Sequence, residues 1–390
     1  MRISSVLATG LSTCLFSAPF VVAEPPSVES LLTSAAKFAA SLKSTYPNPS
    51  IALLPRPFWW WQSGIAIDAL LTYSQTTGDK QYYALLQNTI ISQKTGTNDF
   101  MTRDAEGNDD QAWWALAALS AAENGVPNVG NVTWLDLARN VYNEQKARYD
   151  PSTCGGGIRW KVLEGNGKDG WHYKNSISNG LFFQLAARLA RFTGDADAQA
   201  WAERVYDWVV SVKLIGENFE VYDGTDDTNG TCTELNRDQW SYNNGVFLHG
   251  SAVMAALTKN AKWLDRTNGF IASAKRTFTQ NGTLFEQKCE ASATCNTDQV
   301  SFKGILARWL GASALILPEL RADIADVISG TVTAVQRGNA TGLGVMDSFI
   351  GLEVVDASLR TQGIGGVEGV IGLYKGTNRV RRSIAGRIRI

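Results

Sequence analysis

Histidine is nearly missing from this chain: His172 and His249 are the only two in 390 residues. Cysteine is scarce as well, with five, of which Cys14 falls in an N-terminal leader. The spacings of the rest do not match a zinc site, and no metal or cofactor is expected. Strand-like alternation is rare throughout, which sets β-rich folds aside. Beyond the N-terminus no apolar run is long enough to cross a bilayer, so no transmembrane segment is expected. An excess of basic charge is lacking too. Of 36 Lys and Arg, six stand from Lys375 onward and one is Arg2, leaving 29 against 37 Asp and Glu, a balance of −8. That argues against nucleic acid as a partner.

The leader and several other features point to export. Arg2 precedes a mostly apolar run from Val6 to Val22, and Val21-Val22-Ala23 resembles a small-residue cleavage site, so residues 1–23 read as a signal peptide. The ending "NRVRRSIAGRIRI" lacks the hydrophobic tail of a GPI signal. Residues 377–390 are expected to form a basic, disordered tail. Four sequons are present, at Asn131, Asn229, Asn281 and Asn339. Cys154, Cys232, Cys289 and Cys295 remain in the mature chain, an even count that suggests two disulfides. Cys289 and Cys295 close a short loop and are the natural pair, leaving Cys154 with Cys232, although three pairings are possible in principle. The expectation is a secreted monomer, extracellular or in a cell wall.

Internal repetition argues for one domain over residues 24–376. "GIAIDALLTYSQTTGD" from Gly64, "GLFFQLAARLARFTGD" from Gly180 and "GVFLHGSAVMAALTKN" from Gly245 each place a threonine thirteen positions after a glycine. Ala112 to Gly125 and Gly304 to Pro318 fit the same frame, and a weaker sixth copy is read in "GIGGVEGVIGLYKG", residues 363–376. These segments are apolar all round, as buried helices are. The segments between them are amphipathic: Trp134, Leu137, Ala138, Val141 and Tyr142 share one stripe, as do Trp201, Val205, Trp208 and Val212. The pattern predicts buried helices near 60–76, 109–123, 176–192, 241–257, 300–316 and 362–374. Amphipathic ones are predicted near 27–44, 80–93, 132–149, 197–213, 261–278 and 319–337. Six inside six is an all-α (α/α)6 barrel; an α-solenoid shares the local pattern. Glycine costs a helix about 0.5–1 kcal/mol relative to alanine, so its recurrence predicts close backbone packing near the inner-helix starts.

Those starts mix aromatic with amide or charged residues: "FWWWQSG" (58–64), "NDDQAWW" (108–114), "WHYKNSISNG" (171–180), "WSYNNG" (240–245) and "DQVSFKG" (298–304). Brought to one mouth, they suit a carbohydrate cleft, with rings stacking on sugar C–H faces and amides reading hydroxyls. Asn108 is read as an N-cap, which places Asp109 and Asp110 in a first helical turn. A helix N-terminus favours acids by roughly 0.3–1 kcal/mol, which explains one acid but not two beside an aromatic rim. Crowded carboxyls titrate apart, so that one stays protonated while the other is ionised. Glycoside hydrolysis uses such a pair.

The string Asp109-Asp110-Gln111-Ala112-Trp113-Trp114 resembles the signature of glycoside hydrolase family 76, the α-1,6-mannanases. "CGGGIRW" (154–160), "YKNSISNG" (173–180) and "YNNG" (242–245) are similar to further motifs of that family, and the likeness runs from about residue 30 to 375. The resemblance implies an (α/α)6 barrel and a retaining endo-α-1,6-mannanase acting on mannan or mannoprotein glycans. Asp109 would be nucleophile and Asp110 general acid/base. It further implies substrate contacts at Trp61, Gln111, Arg159, Trp160, Tyr173, Lys174, Asn175, Tyr242 and Asn243, with the glycines at 155–157 bringing backbone close to the sugar. A cell-wall transglycosylase acting on GPI-glycan mannose is the alternative, and a non-catalytic mannan-binding wall protein the alternative of another class. The acid-rich stretch 223–234 reads as a surface loop rather than a calcium loop. His172 is expected at the mouth and His249 in the core.

Overall fold

The computed structural model describes residues 26–165, 170–338 and 343–365. The leader, Asn339 and the basic tail lie outside the described residues. Helices are numbered along the chain. The odd-numbered ones are amphipathic: α1 (Val28–Ser44), α3 (Tyr83–Gln93), α5 (Trp134–Ala147), α7 (Ala196–Ser211), α9 (Ala261–Thr277) and α11 (Arg321–Arg337). The even-numbered ones are buried on nearly every side: α2 (Trp60–Thr77), α4 (Asn108–Glu123), α6 (Ser176–Thr193), α8 (Ser241–Thr258), α10 (Phe302–Ile316) and α12 (Val345–Thr361). Each even helix packs on the next, and α12 returns to pack on α2. The ring therefore closes, which distinguishes a barrel from a solenoid.

The repeat has a direct structural meaning. Thr77, Thr193 and Thr258 are the last residues of α2, α6 and α8, and each is followed by a left-handed residue, Gly78, Gly194 or Lys259. The glycines thirteen positions earlier face the neighbouring inner helix. A Cβ at Gly180 would stand 2.4 Å from Val246, one at Gly245 2.9 Å from Trp309, and one at Gly304 2.8 Å from Phe349. At these three positions a larger residue would overpack the inner ring, which costs about 1–3 kcal/mol.

The sixth inner helix corrects the sequence reading. It is α12, residues 345–361, and not 362–374, most of which lies outside the described residues. In α12 the repeat frame runs from Ser348 to Thr361, with serine in the glycine position. Ser348 is buried and exchanges a 2.8 Å hydrogen bond with Ser41 of α1. Glu353, Asp356 and Arg360 are fully inside, so the helix does not read as apolar. Their place is a buried ion network in the lower half of the barrel. Arg308 donates to Asp68 at 2.9 Å and to Glu353 at 2.5 Å, Arg360 to Gln75 at 2.6 Å, and Arg188 to Glu123 at 2.7 Å. A cavity of about 70 Å³ sits among these groups on the barrel axis.

Cys154 pairs with Cys232 and Cys289 with Cys295, as the spacing favoured. Asn131, Asn229 and Asn281 are exposed. No described helix is long and apolar enough to cross a membrane. A small antiparallel sheet, β1 (Tyr173–Asn175), β2 (Gly224–Asp226) and β3 (Leu235–Asn236), stands at the N-terminal end of α6.

Candidate active site

The first turn of α4 begins the site. Gly107, not Asn108, is the N-cap. Asn108 is instead buried, its amide donating to the Arg159 carbonyl (2.9 Å) and accepting from Arg148 (2.9 Å). Asp110 reaches back to accept the Gly107 N–H at 2.8 Å, and Asp109 accepts the Asp110 N–H at 3.1 Å. Gly107 has an ordinary φ of −112°, so its backbone does not demand glycine. Space does: a Cβ there would lie 2.1 Å from Asp109 Oδ1 and 3.0 Å from Trp160 Nε1.

Both acids are half-buried, and both titrate high. Burial pushes Asp109 up to about 6, against its backbone N–H contacts, the Lys161 charge and the neighbouring Trp160 N–H. Asp110 lies well above the usual carboxylate range, through burial first and the Asp109 charge second. One proton is therefore shared by the pair near neutral pH, and Asp110 is the better holder.

Other inner helices bring their starts to the same mouth. Trp60 stacks on Trp114 (5.2 Å) and Trp61 on Trp113 (5.5 Å), which in turn stacks on Trp309 (5.6 Å). Trp61 donates to Asp298 at 3.2 Å, whereas Trp60 turns back to Gln93 of α3. Tyr242 lies flat on Phe302 at 3.8 Å. Its hydroxyl is driven up by burial and by the charges of Asp223, Asp109 and Asp298, so acids from three separate segments face one ring. Tyr173 donates to Asp223 at 2.6 Å, and Asn243 stands beside that carboxylate.

Glycosyl hydrolase family 76 is the family whose model matches residues 30–354. The chain belongs to it. Mannan endo-1,6-alpha-mannosidase DCW1 of Candida glabrata is 39% identical over 75% of this chain and 66% of its own length. Its counterpart in Eremothecium gossypii is 43% identical over 69% and 60%, so the chain spans two thirds or less of these two relatives. Among solved structures, Dfg5 from Chaetomium thermophilum in complex with glucosamine has a TM-score of 0.81 at 29% identity, covering 91% of this chain and 96% of that one. The GH76A alpha-1,6-mannanase of Salegentibacter superposes with a TM-score of 0.70 at 19% identity, over 84% and 98% of the two chains, which speaks for the fold.

Within this family 76 chain, several residues expected at the substrate are turned elsewhere. Lys174 is fully buried and gives its ammonium to the carbonyls of Asp150, Thr153 and Gly156, at 3.1, 3.0 and 2.6 Å. Burial lowers it to about 8. Gln111 is buried between Glu144 (2.6 Å) and Arg148 (2.8 Å). Arg159 is bound by Asp150 (2.8 Å) and Asp227 (2.7 Å) rather than left as an open donor fork. Asn175 caps α6 by accepting the Ser178 N–H. The glycines at 156 and 157 make room for protein, not sugar: a Cβ would lie 2.0 Å from the Tyr149 hydroxyl and 2.4 Å from Trp208. Trp61, Trp160, Tyr173 and Tyr242 stay partly open at the mouth, while Asn243 lies behind them.

The stretch 223–234 is a surface loop only in part. Asp227 is buried against Arg159 and within 2.9 Å of His172, and Asp223 faces Tyr173. His172 is exposed, whereas His249 is buried beside Ser313, its pKa driven well down by burial. Among the described residues no group of His, Cys, Asp and Glu is placed to hold a metal. Sequence reasoning overlooked Asp223, Asp298, Lys161 and Glu286. Glu286, fully buried and raised to about 7 by that burial, accepts the Ser241 N–H and so anchors the start of α8 beneath Tyr242. A signal for Asp298 was present, since it opens one of the five aromatic starts.

Proposed function

We propose that this chain is a secreted, retaining endo-α-1,6-mannanase that cuts the backbone of mannan or of mannoprotein glycans. The observation that carries the reading is the raised, proton-sharing pair of Asp109 and Asp110 at an aromatic mouth. Asp109, the more readily ionised, attacks the anomeric carbon of a mannose. The glycosidic bond breaks and Asp110 gives its proton to the departing oxygen. Asp110, now a carboxylate, takes a proton from water, whose oxygen displaces Asp109 and restores the starting configuration. Such double displacement operates with carboxyls roughly 5–5.5 Å apart. Trp61 and Tyr242 supply stacking faces, and Trp160 stands beside Asp109. The similar enzymes of known name are mannan endo-1,6-alpha-mannosidases, and a Salegentibacter variant with two consecutive aspartates replaced is inactive and holds alpha-1,6-mannotetrose.

Digestion of linear α-1,6-mannan followed by proton NMR tests this. The α-anomer is the expected first product, and β-anomer would refute retention. A second reading, transfer of the glycosyl intermediate to another glycan, is favoured by the glucosamine held by the similar Dfg5. Labelled acceptor glycans would then become covalently extended; a mannan-binding protein without turnover would give neither product.

A further inference from the structure

The chain segments 104–108 and 159–162 run side by side as a clamp on the start of α4. Asn108 donates its N–H to the Trp160 carbonyl at 2.8 Å, Val162 donates to the Glu106 carbonyl at 3.2 Å, and Gly107 pairs with Lys161 across the two. Lys161 is buried, its ammonium 4.0 Å from the Trp160 ring centre and 3.1 Å from Glu106 Oε2. The same Trp160 ring borders Gly107 alongside Asp109 Oδ1. A cation is thus fixed beside the twin acids by a carboxylate and an aromatic face. On the other elements around the pair, Tyr242 of α8 faces Asp109, while Glu144 of α5 and Arg148, the residue that caps it, are closed on each other and on Gln111 and Asn108.

We propose that Lys161 is a positioning residue whose charge, moderated by Glu106, sets the pH window in which Asp109 is ionised and Asp110 protonated. This rests on the reading of Asp109 and Asp110 as the catalytic pair. The physics is a sign argument. Lys161 favours the ionised form of both acids, and Glu106 opposes ionisation of Asp110. In a site screened from water such charges act with more force than at a surface.

The test is the pH dependence of kcat/KM on α-1,6-mannooligosaccharides, which reports the free enzyme's acid and base. In Lys161→Met both limbs of the bell are expected to move up, by about 0.5–1 pH unit. Lys161→Arg should restore the wild-type limbs. Glu106→Gln should move the limb of the general acid down. A merely structural clamp would lose activity in Lys161→Met and Glu106→Gln with neither limb displaced, and that result overturns the proposal, as do shifts of the same sign in both. If Lys161→Met does not fold, the direction of the Glu106→Gln shift decides. Wild-type protein that never cleaves, or Asp109→Asn protein that still does, refutes the catalytic pair itself and is seen before any limb is compared.

Discussion

The two ends of this barrel treat buried acids in opposite ways. In its lower half Asp68 and Glu353 meet the guanidinium of Arg308, and Glu123 meets that of Arg188. Burial alone would lower Arg308, and the carboxylates of Glu353 and Asp68 more than offset it, so the cation is held. At the mouth Asp109 and Asp110 stand against each other, with Asp298 and Asp223 opposite and the charge of Lys161 already shared with Glu106. Glu123, the member of the lower network on α4, lies about 20 Å along the helix from the pair, at 1.5 Å per residue. Paired charge there ties α4 to α6 and α10 to α2 and α12. Crowded charge at the mouth keeps a proton on the pair.

That contrast can be broken most severely by Asp109→Asn. Loss of the nucleophile should lower kcat on mannan about 10⁴-fold or more while binding of the oligosaccharide, measured by calorimetry, is kept. The same change should stabilise the fold. The folded pKa of Asp109 lies above its unfolded value, so its contribution is fully present below about pH 3.8 and is lost as pH rises through about 6. Asp109→Asn should therefore melt above wild type at pH 7, by about 2 kcal/mol of stability, and equal to it near pH 3.5. At the other end, Arg308→Met leaves Asp68 and Glu353 without their cation. A loss of about 3–5 kcal/mol in urea unfolding is expected, with the kcat of folded protein unchanged.

Gly107→Ala probes the junction between architecture and chemistry. The added methyl would displace Asp109 Oδ1 from a position 2.1 Å away, and misplacement of this order costs about 100-fold in kcat. Stability should change by far less than in Arg308→Met, and an unaltered kcat would show that Asp109 is not held by this contact. The smallest effect is expected from Asp298→Asn. Trp61 keeps an acceptor, so the stacked wall stands and a change in KM of a few-fold without a change in kcat is the outcome to look for. A large fall in kcat would move Asp298 into the chemistry.

Much of the barrel was legible beforehand because the repeat has a steric cause. A glycine that lets two inner helices touch, and a threonine that ends the helix, recur in the sequence since they recur in space. The strongest departure is instructive: α4 has Ala112 in place of that glycine, but α12 has Ser348 and also buries Glu353, Asp356 and Arg360. Hydrophobic pattern cannot announce a helix whose inward Glu353 pairs with Arg308 of α10 and whose Arg360 reaches Gln75 of α2. The site was legible to the extent that its residues stand at helix starts. Asp109, Asp110, Trp61 and Tyr242 do. Lys174, Gln111 and Arg159 looked alike in type, yet their partners are a loop's carbonyls and distant acids.

The sequence by itself determined the class of fold, the number of repeats, the disulfide that closes the short loop and the adjacent acids proposed as the catalytic pair. These follow from periodicity and from local charge, which are properties of neighbours along the chain. Closure of the ring, the identity of its last helix, the gathering of Asp223, Asp298 and Lys161 around the pair, and the withdrawal of Lys174 and Arg159 were decided only in three dimensions. Burial and pairing set the energy of a charged group, and both depend on which remote residues the fold brings to it.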